Sequence, residues 1–332
     1  MPDMPDVRFA QVIGIRMGYY EAGPADDPLP IVLCHGWPEL AYSWRHQIRG
    51  LAAAGCRVIA PDQRGYGETD RPEPVEAYDM EHLTGDLVAL LDSLKIAKAI
   101  FVGHDWGGFV VWNMGFRHPS RVAGVVGVNT PHFPRAPIDP IELFRKRYGE
   151  RMYIVQFQRP DREPDRIFAS DVAKTFNFFM RRPIVRPRAP EGETGQAAGI
   201  GAASSVSLDF PRMVKAYDPR MDRRELVLAP AEMAVFVDTF TRTGFTGGIN
   251  WYRNFTRNWQ RSENLDHTVR QPSLMIMAEN DLVLPPSAAD GMERVVPDLA
   301  RHLVRDSGHW TQQEKPDEVT ATILQWRRAR FR

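Results

Sequence analysis

The sequence predicts an α/β fold in which a mostly parallel, eight-stranded sheet is interrupted by an inserted helical lid. Short apolar runs, typical of strands buried on both faces of a sheet, alternate with segments of helical periodicity over residues 1–133. The alternation stops in residues 134–266 and returns in residues 267–332. Such alternation favours a parallel sheet covered on both faces, so we predict a core in two parts, 1–133 and 267–332, with the lid between them.

The first elements are expected at one edge of that sheet. Two alternating segments joined at Gly14 predict an antiparallel hairpin, and two continuous apolar runs predict buried strands. A helix that carries Trp44, Ile48 and Leu51 separates the two runs. The four predicted strands are Val7–Ile13, Ile15–Tyr20, Pro30–Cys34 and Arg57–Ala60.

Later segments continue the pattern. Asp79 is a good N-cap for a helix whose leucines recur at helical spacing as far as Leu94. Within the lid, the small-residue stretch Gly192–Ser205 predicts a mobile loop. The last segment, Asp317–Trp326, predicts a closing helix. The later predicted strands are Ile100–Val102, Val122–Val128, Ser273–Met277 and Arg301–Val304.

Composition and charge exclude several classes of partner. The chain has 332 residues, and its 42 basic and 42 acidic side chains give a formal net charge of 0. This balance leaves no excess of basic side chains that would indicate binding to nucleic acid or to a membrane surface. We find no secretory signal and no apolar run of the roughly 20 residues that span a bilayer, so we expect a cytoplasmic protein. A homodimer is an assembly that the sequence leaves open.

The sequence also argues against metal and cofactor chemistry. It contains no spaced cluster of Cys, His and Asp residues and no glycine-rich phosphate loop, so we expect no metal and no cofactor. The two cysteines, Cys34 and Cys56, lie in apolar runs and are expected to be buried thiols.

The segment Gly103-His104-Asp105-Trp106-Gly107 is the centre of the predicted site. It connects an apolar strand to a helix, and its two glycines flank a central residue at the spacing of a nucleophile elbow. Such a turn lifts the central side chain clear of the backbone. Because that side chain is the carboxylate of Asp105, its attack on an sp³ carbon would form an alkyl ester.

Two further residues follow predicted strands. Asp281 comes after the strand that ends at Met277, and His309 follows the last strand. A nucleophile, a later acid and a final histidine, in that chain order, are typical of an α/β-hydrolase triad. A single Asp or His after a strand is more often a turn or solvated residue, but the three together predict a catalytic site at the carboxyl ends of the strands.

Backbone groups beside the elbow complete this prediction. The N–H groups of Trp37, in His35-Gly36-Trp37-Pro38, and of Trp106 are candidates for an oxyanion hole. The alternative for Trp37 is an ordinary strand-to-helix turn. We interpret Asp62-Gln63-Arg64-Gly65 as a segment that supports the site without taking part in catalysis, and His104 and His46 as structural residues.

In the segments 35–38, 43–47, 62–67, 103–107, 152–158, 248–254 and 306–312, and over nearly its whole length, the chain resembles the α/β-hydrolase-fold epoxide hydrolases. The elbow and triad segments are shared with haloalkane dehalogenases, whereas the two lid segments are specific to epoxide hydrolases. The resemblance implies that one tyrosine in each lid segment, Tyr153 and Tyr252, opens the epoxide ring. Where family members commonly have Pro-Gly after the first lid segment, this chain has Arg159-Pro160-Asp161-Arg162.

The chemistry of ring opening suits two phenols. The departing ring oxygen develops negative charge, and a phenol with an ordinary pKa of about 10 donates a hydrogen bond to it at neutral pH. The expected partners are therefore a small hydrophobic epoxide and water. Apolar lid residues suggest a hydrophobic pocket, with Phe157, Phe179 and Trp251 as candidate substrate contacts.

Other functions remain to be distinguished. A haloalkane dehalogenase would use Trp37 and Trp106 as halide donors and would need no acid. A fluoroacetate-type dehalogenase is disfavoured because such relatives place Arg beside the nucleophile, where this chain has Trp106. A non-catalytic ligand-binding protein on a hydrolase scaffold is the alternative from another class, although it would have no need of a positioned nucleophile and base.

Overall fold

A computed structural model describes residues 3–183 and 208–331. The predicted loop Gly192–Ser205 lies outside these residues. The strands are β1 Val7–Gln11, β2 Arg16–Ala22, β3 Ile31–Cys34, β4 Val58–Pro61, β5 Ala99–His104, β6 Val122–Val128, β7 Ser273–Ala278 and β8 Leu299–Val304. They form an eight-stranded sheet in the order β1-β2-β4-β3-β5-β6-β7-β8, which confirms the predicted fold class.

The hairpin β1–β2 forms one edge of the sheet, as predicted. It pairs antiparallel, Gly14 in its turn has a φ of 67°, and β2 joins the sheet antiparallel to β4. All later neighbours are parallel. The carboxyl ends of β5, β7 and β8 therefore lie at one edge of the sheet, which brings the loops that follow these strands together.

Helices cover both faces of the sheet and create two apolar layers. The helices of the core are α1 Arg45–Ala53, α2 Met80–Ser93, α3 Trp106–Arg117, α12 Thr311–Glu314 and α13 Pro316–Arg330. On one face, Trp44 directly before α1, Ile48 of α1 and Trp326 of α13 pack against alternate strand residues. On the other face, α2 and α3 pack against the remaining strand residues, and the side chain of Asp79 accepts a bond from the first turn of α2 as predicted.

The chain between β6 and β7 is helical over most of its described part. These helices share one apolar cluster with α2 and α3, and so lie over the strand ends. The first helix begins at Pro140 and the last ends at Arg261, while the lid limits of 134 and 266 stay predictions. The helices are α4 Pro140–Tyr148, α5 Tyr153–Gln156, α6 Glu163–Ser170, α7 Val172–Phe179, α8 Phe210–Ala216, α9 Pro230–Thr243, α10 Thr246–Arg253 and α11 Phe255–Arg261.

Within residues 3–183 and 208–331, no helix is both long and apolar enough to cross a membrane.

Candidate active site

Asp105 stands on the sharp turn between β5 and α3. Its φ of 50° is in the range that L-residues rarely adopt, and its side chain is buried. A Cβ at Gly36 would overlap the Asp105 side chain, and a Cβ at Gly107 would overlap the backbone of β3. The glycines around the carboxylate therefore allow a close approach that no other residue permits.

The two other residues of the predicted triad lie beside Asp105. His309 Nδ1 is 2.9 Å from Asp281 Oδ2, and His309 Nε2 is 3.7 Å from Asp105 Oδ2. The structure thus brings together three residues from distant parts of the sequence. The imidazole lies between the two carboxylates, with one nitrogen facing each.

The Asp281 carboxylate is held by several donors. Its Oδ1 accepts bonds from the N–H groups of Val283 and Leu284, and its Oδ2 accepts one of 2.7 Å from Asn129 Nδ2. Sequence reasoning missed Asn129. Its position directly after β6, at the edge where the site lies, is the signal that could have found it.

Burial and charge set the protonation of these groups. Burial opposes ionisation of Asp281, but the charge and hydrogen bond of His309 outweigh it and hold the pKa of Asp281 below its usual value. Burial likewise opposes protonation of His309, but the Asp281 and Asp105 carboxylates outweigh it and raise the pKa of His309 to about 9. The pKa of Asp105 is raised by burial, against the opposing charge of His309.

Two backbone N–H groups act on the Asp105 carboxylate. The N–H of Trp37 donates to Asp105 Oδ1 at 2.7 Å, and the N–H of Trp106 also favours the charged carboxylate, in opposition to the burial that raises the pKa of Asp105. The Trp37–Pro38 peptide bond is cis. Both predicted oxyanion donors therefore converge on the same side chain.

A cavity of about 690 Å³ opens over Asp105, and Tyr153 and Tyr252 also border it. The two phenol rings come from α5 and α10, and their centres are 5.7 Å apart at 74°. Burial raises the pKa of both phenols, and the charge of Asp105 adds to this shift. Both hydroxyls are therefore protonated at neutral pH and can donate hydrogen bonds.

Packing against aromatic rings holds the tyrosines. Tyr153 stacks on Phe210 at 4.4 Å, and Tyr252 meets the Trp106 ring edge-on at 4.9 Å. The Arg159–Arg162 turn, where the chain departs from the family pattern, follows α5 and leaves Tyr153 at the cavity wall.

The three predicted substrate contacts do not border this cavity, which corrects the expectation that they would line it. Phe157 is fully buried and packs against Tyr252 with ring centres 5.0 Å apart. Trp251 is also fully buried, and its indole N–H donates to the Arg64 carbonyl. Phe179 packs against Trp37 at 5.2 Å. Their apolar character suits ligand contact and core packing equally, so sequence alone could not separate the two.

The residues that we interpreted as structural lie behind the site and support it. His104 lies between the Glu39 carboxylate, 2.7 Å from Nδ1, and the His309 carbonyl, 2.6 Å from Nε2. Asp62 is buried and accepts the N–H of Ala41. His46 is a half-buried residue of α1, where burial lowers its pKa. Among the described residues, no group of three or more His, Cys, Asp or Glu side chains could hold a metal ion.

Comparison with known proteins identifies the family of this chain. Residues 30–316 match the family model described as the alpha/beta hydrolase fold. Epoxide hydrolase A of Mycobacterium tuberculosis is 42% identical over 97% of both chains. The mouse (Mus musculus) bifunctional epoxide hydrolase 2 is 38% identical over 94% of this chain and 53% of its own length, so this chain spans about half of the mouse protein.

Solved structures give the same result. The crystal structure of epoxide hydrolase A from Mycobacterium thermoresistibile superposes with a TM-score of 0.82 at 38% identity over 98% of both chains. Potato (Solanum tuberosum) epoxide hydrolase I superposes with a TM-score of 0.79 at 29% identity over 98% of this chain and 99% of the potato chain. The chain belongs to the α/β-hydrolase fold family, and within it to the epoxide hydrolases.

Proposed function

We propose that this protein is an epoxide hydrolase that converts a hydrophobic epoxide and water to a vicinal diol through an ester on Asp105. The observation that carries the proposal is a single cavity bordered by a carboxylate nucleophile and two protonated phenols. The epoxide hydrolases among its relatives support the same activity.

In the first step, an oxygen of Asp105 attacks one epoxide carbon and forms a C–O bond while the bond from that carbon to the ring oxygen breaks. The electron pair moves to the ring oxygen. Tyr153 and Tyr252 donate hydrogen bonds to this oxygen, and one of them transfers its proton. The product of the step is a hydroxyalkyl ester on Asp105.

In the second step, His309 takes a proton from water, and the resulting hydroxide attacks the carbonyl carbon of the Asp105 ester. The N–H groups of Trp37 and Trp106 stabilise the oxyanion. The bond between the Asp105 carbonyl carbon and the substrate oxygen then breaks, and this oxygen takes the proton of the newly formed Asp105 carboxylic acid, which releases the diol and restores the carboxylate. The proton held by His309 returns to the tyrosinate. Because the Asp105 charge helps to raise the pKa of His309, forming the neutral ester lowers that pKa and favours the basic imidazole.

The site is less suited to halide release. A halide donor has to reach the cavity, but Trp37 does not border it and its indole N–H is fully buried. Of these two tryptophans, Trp106 alone borders the cavity, where Tyr153 and Tyr252 also lie. A pair of phenols rather than a pair of indoles therefore faces the substrate, which favours ring opening over halide binding.

The test is turnover of a panel of epoxides and alkyl halides of equal chain length by the purified protein. We expect diol from epoxides and no halide ion from the halides. Halide release without diol formation would make the protein a dehalogenase. Saturable binding without any turnover would instead favour a ligand-binding protein.

A further inference from the structure

One wall of the cavity carries a polar residue that the reaction above does not use. His132 borders the cavity and is 6% exposed. It lies two residues after Thr130, whose hydroxyl donates to the Asp105 carbonyl. Since two residues of extended chain span about 7 Å at most, His132 stands close enough to meet a substrate bound at Asp105.

The His132 ring is fixed in position by its neighbours. It stacks on Trp112 with ring centres 5.8 Å apart at 28°, and it lies 5.7 Å from the ring of Phe116. Its Nε2 is 2.7 Å from the carbonyl oxygen of His267. A carbonyl oxygen can only accept, so Nε2 carries the hydrogen.

The other ring nitrogen of His132 is therefore an acceptor. Burial lowers the pKa of His132 to about 4, so at neutral pH the ring carries one proton and Nδ1 keeps its lone pair. No described residue donates a hydrogen bond to Nδ1. Nearby polar side chains on the same wall are bonded to backbone carbonyls, Ser262 to Trp259 and Asn113 to Phe109.

A fixed acceptor in a largely apolar cavity discriminates between ligands. A purely apolar ligand that covers Nδ1 leaves it without a partner, which costs about 1–3 kcal/mol, whereas a ligand with a hydroxyl or N–H group satisfies it. The reacting groups at Asp105 lie at a different place on the wall, so the donor has to be a second polar group of the ligand.

We propose that His132 is a specificity-determining residue whose Nδ1 accepts a hydrogen bond from a hydroxyl or N–H group of the epoxide substrate. The preferred substrates are then hydrophobic epoxides that carry one such donor a few bonds from the ring. This inference rests on the proposed epoxide hydrolase function and narrows its substrate class.

The test uses a series of terminal epoxides that carry a hydroxyl group at successive chain positions. The kcat/KM of each compound is compared with that of the analogue that has a methyl group at the same position. For the wild type we expect kcat/KM to favour the hydroxyl compound about tenfold at the best position. His132→Phe keeps an aromatic ring but removes the acceptor, so the ratio should fall to about one with the methyl analogue little affected. Phe109→Leu, which alters the same cavity without touching the acceptor, should keep the preference.

Equal kcat/KM for every pair in the wild type, or an unchanged preference in His132→Phe, would overturn the role of His132. If the variant does not fold, equal kcat/KM across the wild-type series is still sufficient to overturn the inference. Binding of analogues in which a cyclopropane replaces the epoxide separates the two proposals. Without any epoxide turnover the proposed function fails, whereas equal dissociation constants for the hydroxyl and methyl cyclopropanes overturn the inference about His132.

Discussion

Asp105, Asp281 and His309 lie on loops at the ends of β5, β7 and β8, whereas Tyr153 and Tyr252 stand on helices that cover them. The sheet-edge groups are held by hydrogen bonds and ion pairs at 2.7–2.9 Å. The tyrosines are held mainly by ring contacts with neighbouring aromatic side chains.

The difference matches what each set of groups has to do. A carboxylate nucleophile and an ion pair need fixed dipoles in a buried place, since an unpaired buried charge is costly. Neutral phenols avoid that cost, and ring packing positions them without removing their hydroxyls from the cavity. In the proposed mechanism the sheet edge therefore supplies the charged groups, and the helical cover supplies the neutral donors.

The largest expected effect is at the sheet edge. Asp105→Ala removes the nucleophile, and no second carboxylate borders the described cavity to replace it, so diol formation should fall by at least about 10⁴-fold. Initial rates of diol formation measure the effect, with circular dichroism and the thermal midpoint as controls of the fold. A small loss of activity in a folded Asp105→Ala protein would refute the nucleophile assignment.

The helical cover should give a large but smaller effect. In the Tyr153→Phe, Tyr252→Phe double variant the rings and their packing remain, but ring opening loses its proton donors and should slow by about 10²–10⁴-fold. The rate of adduct formation in a single turnover measures this step. Tyr148→Phe is a matched control at the same cavity and should stay close to the wild type. Full activity in the double variant would refute the role of the tyrosines.

Stability should also depend on pH through His309. Its folded pKa of about 9 lies above the ordinary value of 6.5, so its pairing with the carboxylates stabilises the fold fully below pH 6.5. This stabilisation is lost as pH rises through 9. Urea unfolding at several pH values should show a gap in free energy between wild type and His309→Gln that shrinks from about pH 6 to about pH 9.5. A gap that does not change with pH would contradict the raised pKa.

The smallest expected effect concerns Asn129. Asn129→Ala removes one donor to Asp281 and should slow ester hydrolysis about tenfold, with little change in the alkylation rate. Rapid-quench measurement of both steps separates the two. Asn280→Ala is the control, because Asn280 neighbours Asp281 but its amide nitrogen donates to no described residue. Equal effects of the two substitutions would remove the positioning role of Asn129.

The contrast between sheet edge and helical cover also explains how far sequence reasoning reaches. Strand ends are visible in sequence because buried parallel strands are continuous apolar runs, so the sequence alone places Asp105, Asp281 and His309 at one edge. The roles of the tyrosines follow only from resemblance to a family. Helix periodicity does not say which aromatic residue faces a cavity and which one packs behind it.

The substrate contacts show that limit most clearly. Phe157 and Trp251 are as apolar as the residues that line the cavity, yet they are fully buried behind the tyrosines. Sequence gives no reason to single out His132, because a histidine three residues after Asn129 has no pattern of its own. Its role depends on a carbonyl from the loop before β7 and on two rings of α3, which meet only in the folded chain.

The central claim is that Asp105 forms an ester with the epoxide, and the intact mass of the His309→Gln protein after incubation with epoxides tests it most directly. Without the base the ester should persist, and because nothing leaves on ring opening, the protein should gain the whole mass of the epoxide on the peptide that contains Asp105. An adduct lighter by one hydrogen halide, formed only with alkyl halides, or no adduct with any epoxide that the wild type hydrolyses, would contradict the account.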